Sequence, residues 1–300
     1  RGMSKREPRK HTNTAHIPRL PSPLSAAMRA ARRAGRMLEP ALLSSSELVG
    51  YLPFTAHGRT LHYRVGNAHR LDGADSSPGV LFFFDGDYLL RSGSRLLRRT
   101  STLREELSDI AYQHRMLLVP VLAPGTVNEG VLREATTNWW VRARANGRVF
   151  RALAADLHER YGYDRSRVWL AGYSGGAEFI AYELLLHAAD AMVGGGATLI
   201  GGGGADGIPT QHRAPNISLS HLLLSWHVGD KDGRSPRLLN DTRSGGLWSA
   251  QVAAQEGGQF YARLGARTAL HVMPGQGHRN YPITQLVRND LAMATRLGYL

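Results

Sequence analysis

Three short, glycine-flanked stretches carry residue types that could do chemistry together. Ser174 sits in Gly172-Tyr173-Ser174-Gly175-Gly176, Asp230 and Asp232 follow Gly229, and His278 closes Gly275-Gln276-Gly277-His278. A serine hydroxyl is a poor nucleophile near neutral pH. It needs an adjacent base, normally a histidine that a carboxylate holds in one tautomer. Only one carboxylate is required. Asp232 is favoured because it falls after the turn has begun, where its side chain can lean toward His278. Asp230, nearer the preceding apolar run, would instead organise the turn, and aspartate is a common turn former. The Gly-x-Ser-x-Gly string is weak by itself in a chain with 34 glycines, so its setting must decide.

The setting is a set of alternating strands and helices. Val168-Trp169-Leu170-Ala171 reads as a strand and Ala177 to Leu186 as a helix, which puts Ser174 on the turn between them. That turn forces unusual backbone angles on the serine, while glycines two residues to either side let strand and helix approach closely. The helix N-terminus also favours negative charge developing beside it. Further apolar runs at 80–84, 116–122, 222–227 and 268–273 have the length of buried parallel strands. Helices are expected near 94–113, 147–161, 176–189, 247–264 and 283–297. "YLPFTAHGRTLHYRVG" reads as an antiparallel hairpin turning at His57-Gly58. The expected fold is α/β, a mostly parallel central sheet with an N-terminal antiparallel hairpin and helices on both faces.

Position selects His278 from 13 histidines. It follows the last expected strand and precedes the final helix, on a loop at the carboxyl edge of the sheet. His11 and His16 lie in the N-terminal segment, His62 in the hairpin, His158 and His187 in helices, and His271 within a strand. Two longer stretches interrupt the regular pattern. Residues 125–147 carry Trp139 and Trp140, which either wall a substrate pocket or pack their loop onto the domain. Residues 194–216 have a strand-like centre wrapped in glycine.

The order Ser174, Asp232, His278, each on a glycine-marked turn after a strand, resembles the α/β-hydrolase superfamily from about residue 50 onward. Within it the chain looks more like compact serine esterases of the feruloyl-esterase and polyhydroxybutyrate-depolymerase-like group. The resemblance implies hydrolysis of a small-molecule carboxylic ester through an acyl-enzyme on Ser174, with Asp232 and His278 completing the triad and no metal or organic cofactor. It implies an oxyanion hole from the N–H of Gly175 and one from the Gly86-Asp87 loop, most simply that of Asp87. Here the sequence departs from the superfamily, since Asp85 stands where a His-Gly pair is common. Asp85 and Asp87 either contact a polar or cationic substrate group or fix the loop. Tyr173, beside the nucleophile, is a further candidate substrate contact. The same triad would serve an acyltransferase or a peptidase, and the acidic loop keeps open a non-catalytic α/β-hydrolase-like binding protein.

Composition narrows the classes further. With 42% hydrophobic residues in 300, a large core is available. No cysteine is present, which excludes disulfides, thiolate metal sites and a cysteine nucleophile. The net charge of +13 is uneven: residues 1–40 hold ten Lys or Arg against Glu7 and Glu39, which leaves +5 for the other 260. Nucleic-acid binding is therefore not expected beyond weak electrostatics of that segment. Residues 1–45 read as a basic, flexible extension with a candidate amphipathic helix, and 46–300 as the hydrolase-like domain. No apolar run reaches membrane-spanning length and no secretory signal is apparent, so a soluble cytoplasmic protein is expected.

Overall fold

A computed structural model describes residues 50–73, 76–88, 93–126, 136–139, 142–187, 191–208, 219–233 and 248–300. The expected basic extension and its helix lie outside these residues, as does Trp140. The chain enters through β1 (Leu52–Ala56) and β2 (Arg59–Tyr63), an antiparallel pair in register from Leu52 opposite Tyr63 to Ala56 opposite Arg59. His57 and Gly58 form its two-residue turn with φ of 52° and 70°. Paired positive φ values match the right-handed twist of the flanking strands, the reason such turns favour glycine.

Six more strands complete the sheet: β3 (Gly79–Phe84), β4 (Met116–Leu122), β5 (Val168–Tyr173), β6 (Gly195–Ile200), β7 (Leu222–Gly229) and β8 (Arg267–Met273). Their order across the sheet is β1-β2-β4-β3-β5-β6-β7-β8. Pairing is antiparallel as far as β2 with β4 and parallel thereafter. Period-two alternation sends side chains to two separate cores. Val80, Phe82 and Phe84 of β3 join a core with α2 (Ala143–Tyr161), α3 (Gly175–Phe179) and α4 (Ala250–Arg263). Leu81 and Phe83 point the other way, against α1 (Leu103–Gln113) and α5 (Ile283–Arg296). Among the described residues, no helix is long and apolar enough to cross a membrane.

Several expected boundaries move. The helix sought at 94–113 begins only at Leu103, because Ser94 to Arg98 form turns that serve the β3 loop. The helix starting at Ala143 is longer than the expected 147–161. The helix expected over 176–189 runs as α3 and then widens into a π-turn over Ile180–Leu184. The largest correction concerns 194–216, read as an excursion: Gly195–Ile200 is a central strand between β5 and β7. Its glycines answer to crowding, since a β-carbon on Gly195 would lie 1.9 Å from the Val168 carbonyl oxygen and one on Gly196 1.9 Å from that of Leu223. A strand built from residues with poor strand propensity leaves little trace in sequence.

Candidate active site

β5 ends at Tyr173, and Ser174 begins α3 with φ 52° and ψ −116°. A non-glycine residue there costs on the order of 1–3 kcal/mol and persists only where its surroundings over-determine it. They do so here. The Ser174 N–H donates to the Ile200 carbonyl at the end of β6 at 2.8 Å. A β-carbon on Gly172 would stand 2.7 Å from the Gly176 carbonyl, and one on Gly176 only 2.1 Å from the Phe84 carbonyl oxygen. The two flanking glycines therefore let strand, turn and helix close around the serine.

The loops after β7 and β8 bring the other groups to it. Ser174 Oγ lies 2.9 Å from His278 Nε2, and His278 Nδ1 lies 2.9 Å from both Asp232 oxygens. A carboxylate can only accept, so Nδ1 carries the proton and Nε2 offers its lone pair to the serine hydroxyl. Asp232 is 2% exposed and also accepts from the Tyr281 hydroxyl at 2.6 Å. Tyr281 in turn accepts from the Gly229 N–H at 2.8 Å. Burial and the Asp232 carboxylate push the Tyr281 phenol well above its ordinary range, so it stays a donor. Tyr173 braces the other side by donating to the His278 carbonyl at 2.7 Å, with its own phenol raised by burial. Tyr173 thus holds the histidine loop. Asp230 turns away from His278 and accepts from the Gly275 N–H at 2.7 Å, tying the two loops together.

The acidic loop after β3 divides its two carboxylates. Asp85 points inward, 2% exposed, and accepts from the Gly86 and Arg95 N–H groups and the Tyr88 and Ser94 hydroxyls. Burial raises its carboxyl above the usual range, with those donors pulling the other way. This geometry corrects the substrate-contact reading of Asp85: it fixes the loop. Gly86 also departs from expectation, since its N–H is committed to Asp85 at 2.8 Å and its place beside Ser174 is one of packing. Trp139 is fully buried rather than lining a pocket. It donates to the Asp85 carbonyl at 2.9 Å and stacks 4.6 Å from Phe179. Asp87 accepts from the Trp139 N–H at 3.0 Å. Its carboxylate lies against Gly175, where a β-carbon would come within 2.2 Å of Cγ.

No family model matches the sequence, and no curated protein matches it either. Solved structures do. A carboxylesterase from Bacillus cereus is 16% identical with a TM-score of 0.52, over 78% of this chain and 94% of that one. A carboxylesterase from Mesorhizobium loti is 18% identical with a TM-score of 0.52, over 81% and 99%. Arabidopsis thaliana SOBER1 is 14% identical, also at 0.52, over 73% and 100%. The chain has the α/β-hydrolase fold.

Seen as an α/β-hydrolase fold, the site holds three further residues that sequence reasoning missed. Glu178, one helical turn beyond Ser174, accepts from the Gly203 and Gly204 N–H groups at 3.0 and 3.2 Å. Burial pushes its carboxyl up to about 7 against these bonds. Its spacing of four from the serine was the available signal. Tyr281 was marked only by its nearness to His278. Trp248 presents its ring edge-on to His278 at 5.6 Å, and no local pattern marks it in the sequence. The whole arrangement of the hydrolase fold can pass a hydroxyl proton from Ser174 to an imidazole whose cationic form faces a buried carboxylate.

Proposed function

We propose that the protein is a serine hydrolase that cleaves a small-molecule carboxylic ester through an acyl-enzyme on Ser174. The observation that carries this reading is the unbroken chain Ser174–His278–Asp232, with 2.9 Å at each link, on a strained strand-to-helix turn. His278 takes the Ser174 proton as Oγ attacks the ester carbonyl, and Asp232 balances the resulting imidazolium. The N–H groups of Gly175 and Asp87 stabilise the tetrahedral oxyanion. The protonated His278 then donates to the leaving alkoxide, and water, deprotonated by the same imidazole, releases the acid. The carboxylesterase names of the similar structures agree with this chemistry. Purified protein should hydrolyse a chromogenic short-chain ester and react with a fluorophosphonate at Ser174. Unchanged turnover in Ser174→Ala would refute the assignment.

A second reading, a non-catalytic binding protein on the same scaffold, is favoured by one observation: the Asp87 carboxylate lies against Gly175, beside the position a developing oxyanion would take. Folded protein that neither hydrolyses esters nor takes the fluorophosphonate would select it. Transfer to added alcohols, or cleavage of peptides in place of esters, would instead identify an acyltransferase or a peptidase.

A further inference from the structure

The two strands at the C-terminal edge of the sheet carry a second group of histidine and carboxylate side chains that the reaction above does not use. His227 on β7 and His271 on β8 are direct neighbours in register, their rings 4.7 Å apart and 13° from parallel. His227 Nε2 lies 2.8 Å from Asp290 Oδ2 on α5. That oxygen also accepts from Thr198 Oγ1 at 2.8 Å, which itself accepts from Trp169 Nε1 at 2.9 Å. His227 and Asp290 are buried. His271 Nε2 is sealed from solvent and has no hydrogen-bond partner among the described residues. One donor atom from each of the three side chains falls within 4.8 Å of the others.

An imidazole nitrogen shut away from water without a partner is costly, and native proteins seldom tolerate it unless something binds there. Two imidazoles and one carboxylate are a donor set for zinc and its first-row neighbours. Asp290 is oriented by a hydroxyl that is in turn oriented by an indole, the outer support that metal-binding carboxylates commonly have. Donors on one zinc ion, each at up to about 2.1 Å, stand at most about 4.2 Å apart. The 13° stack leaves the in-plane lone pairs of the two imidazoles nearly parallel, so the His271 ring must turn out of the stack for its nitrogen to meet an ion held by His227 and Asp290.

We propose that His227, His271 and Asp290 bind a divalent transition-metal ion of the zinc class and thereby clamp β7, β8 and α5 together. On binding, the ion takes the Nε2 lone pair of His227 in place of the hydrogen bond to Asp290, and the single imidazole proton moves to Nδ1. β7 runs directly into the loop that carries Asp232, and β8 and α5 flank the loop that carries His278. The clamp therefore sits behind the acid and the base and stabilises the loops that present them.

The test uses the full chain, freed of metal by a chelator and dialysed, then titrated with Zn²⁺ or Co²⁺. Uptake of about one equivalent of Co²⁺ with visible ligand-field absorption is expected. The thermal midpoint should rise by about 5 °C at a hundredfold excess of Zn²⁺ over its Kd. His271→Ala, on a partly exposed edge position, should still unfold cooperatively without metal yet bind at least about tenfold more weakly. An unmoved midpoint in the parent protein would overturn the proposal. So would an equal rise and equal uptake in His271→Ala, which would assign the ion to other histidines such as His11 and His16.

Discussion

Replacing Tyr281 with phenylalanine removes one oxygen atom and the two hydrogen bonds it makes, to Asp232 and from Gly229. The ring is buried, so water cannot take the place of the lost hydroxyl without repacking. A hydrogen bond to a carboxylate contributes about 1.5–3 kcal/mol, and an orphaned buried N–H costs about 1–3 kcal/mol. The two losses share one atom and are not additive, which gives a net cost of about 3 kcal/mol. At about 2–4 °C per kcal/mol, the thermal midpoint should fall by roughly 6–12 °C. Asp232 would then be held by fewer bonds, and ester turnover should fall about tenfold in kcat, or about 1.4 kcal/mol, with KM nearly unchanged. Differential scanning fluorimetry and steady-state kinetics on the same preparation check both numbers. A midpoint within a degree of the parent, together with unchanged kcat, would show that the Tyr281 hydroxyl neither supports Asp232 nor satisfies Gly229.

Three further outcomes follow from the same geometry. Asp232→Asn should lower kcat by about 10³–10⁴-fold by offering His278 the wrong tautomer, whereas Asp230→Asn should stay within a few-fold; equal effects would reverse the assignment of the two acids. Gly176→Ala places a methyl against the Phe84 carbonyl oxygen and should cost about 2–4 kcal/mol in denaturant unfolding, so a neutral result would contradict the close approach of α3 to β3. Glu178, with its carboxyl raised to about 7 in the folded state, holds a proton there that the unfolded chain releases at lower pH. Its contribution therefore declines as pH rises from about 4.5 to about 7, by at most on the order of 3 kcal/mol. The stability of the parent relative to Glu178→Gln should fall across that window; a constant difference would remove Glu178 ionisation as its cause.

The strands were legible wherever burial on both faces produced continuous apolar runs, as in Val80 to Phe84 and Met116 to Leu122. β6 showed only as a strand-like centre wrapped in glycine and not as a member of the sheet, because the backbone contacts that select Gly195 and Gly196 belong to β5 and β7, and no local window contains them. The residues now joined by hydrogen bonds, Ser174, Asp232 and His278, could be singled out because each occupies the end of a strand next to glycine. Their supports were less visible. Tyr173 and Trp139 look from sequence like pocket aromatics, yet their polar atoms are turned to backbone carbonyls, an orientation that depends on how the loops cross. Asp85 misled for a related reason: a carboxylate in a loop reads as solvent-facing until four donors are seen converging on it.

The 2.9 Å contact between Ser174 and His278 spans 104 positions of sequence, and its second half is anchored by β8 and α5. A growing polypeptide could close the serine turn once β6 has paired beside it, but it would have no base to activate the hydroxyl until α5 docks. Reactivity at Ser174 would thus arrive only after β8 and α5 have been made and have docked, and depart when they fray. An inhibitor that labels only activated serines would then count molecules in which β8 and α5 are docked, and distinguish them from chains that are merely compact.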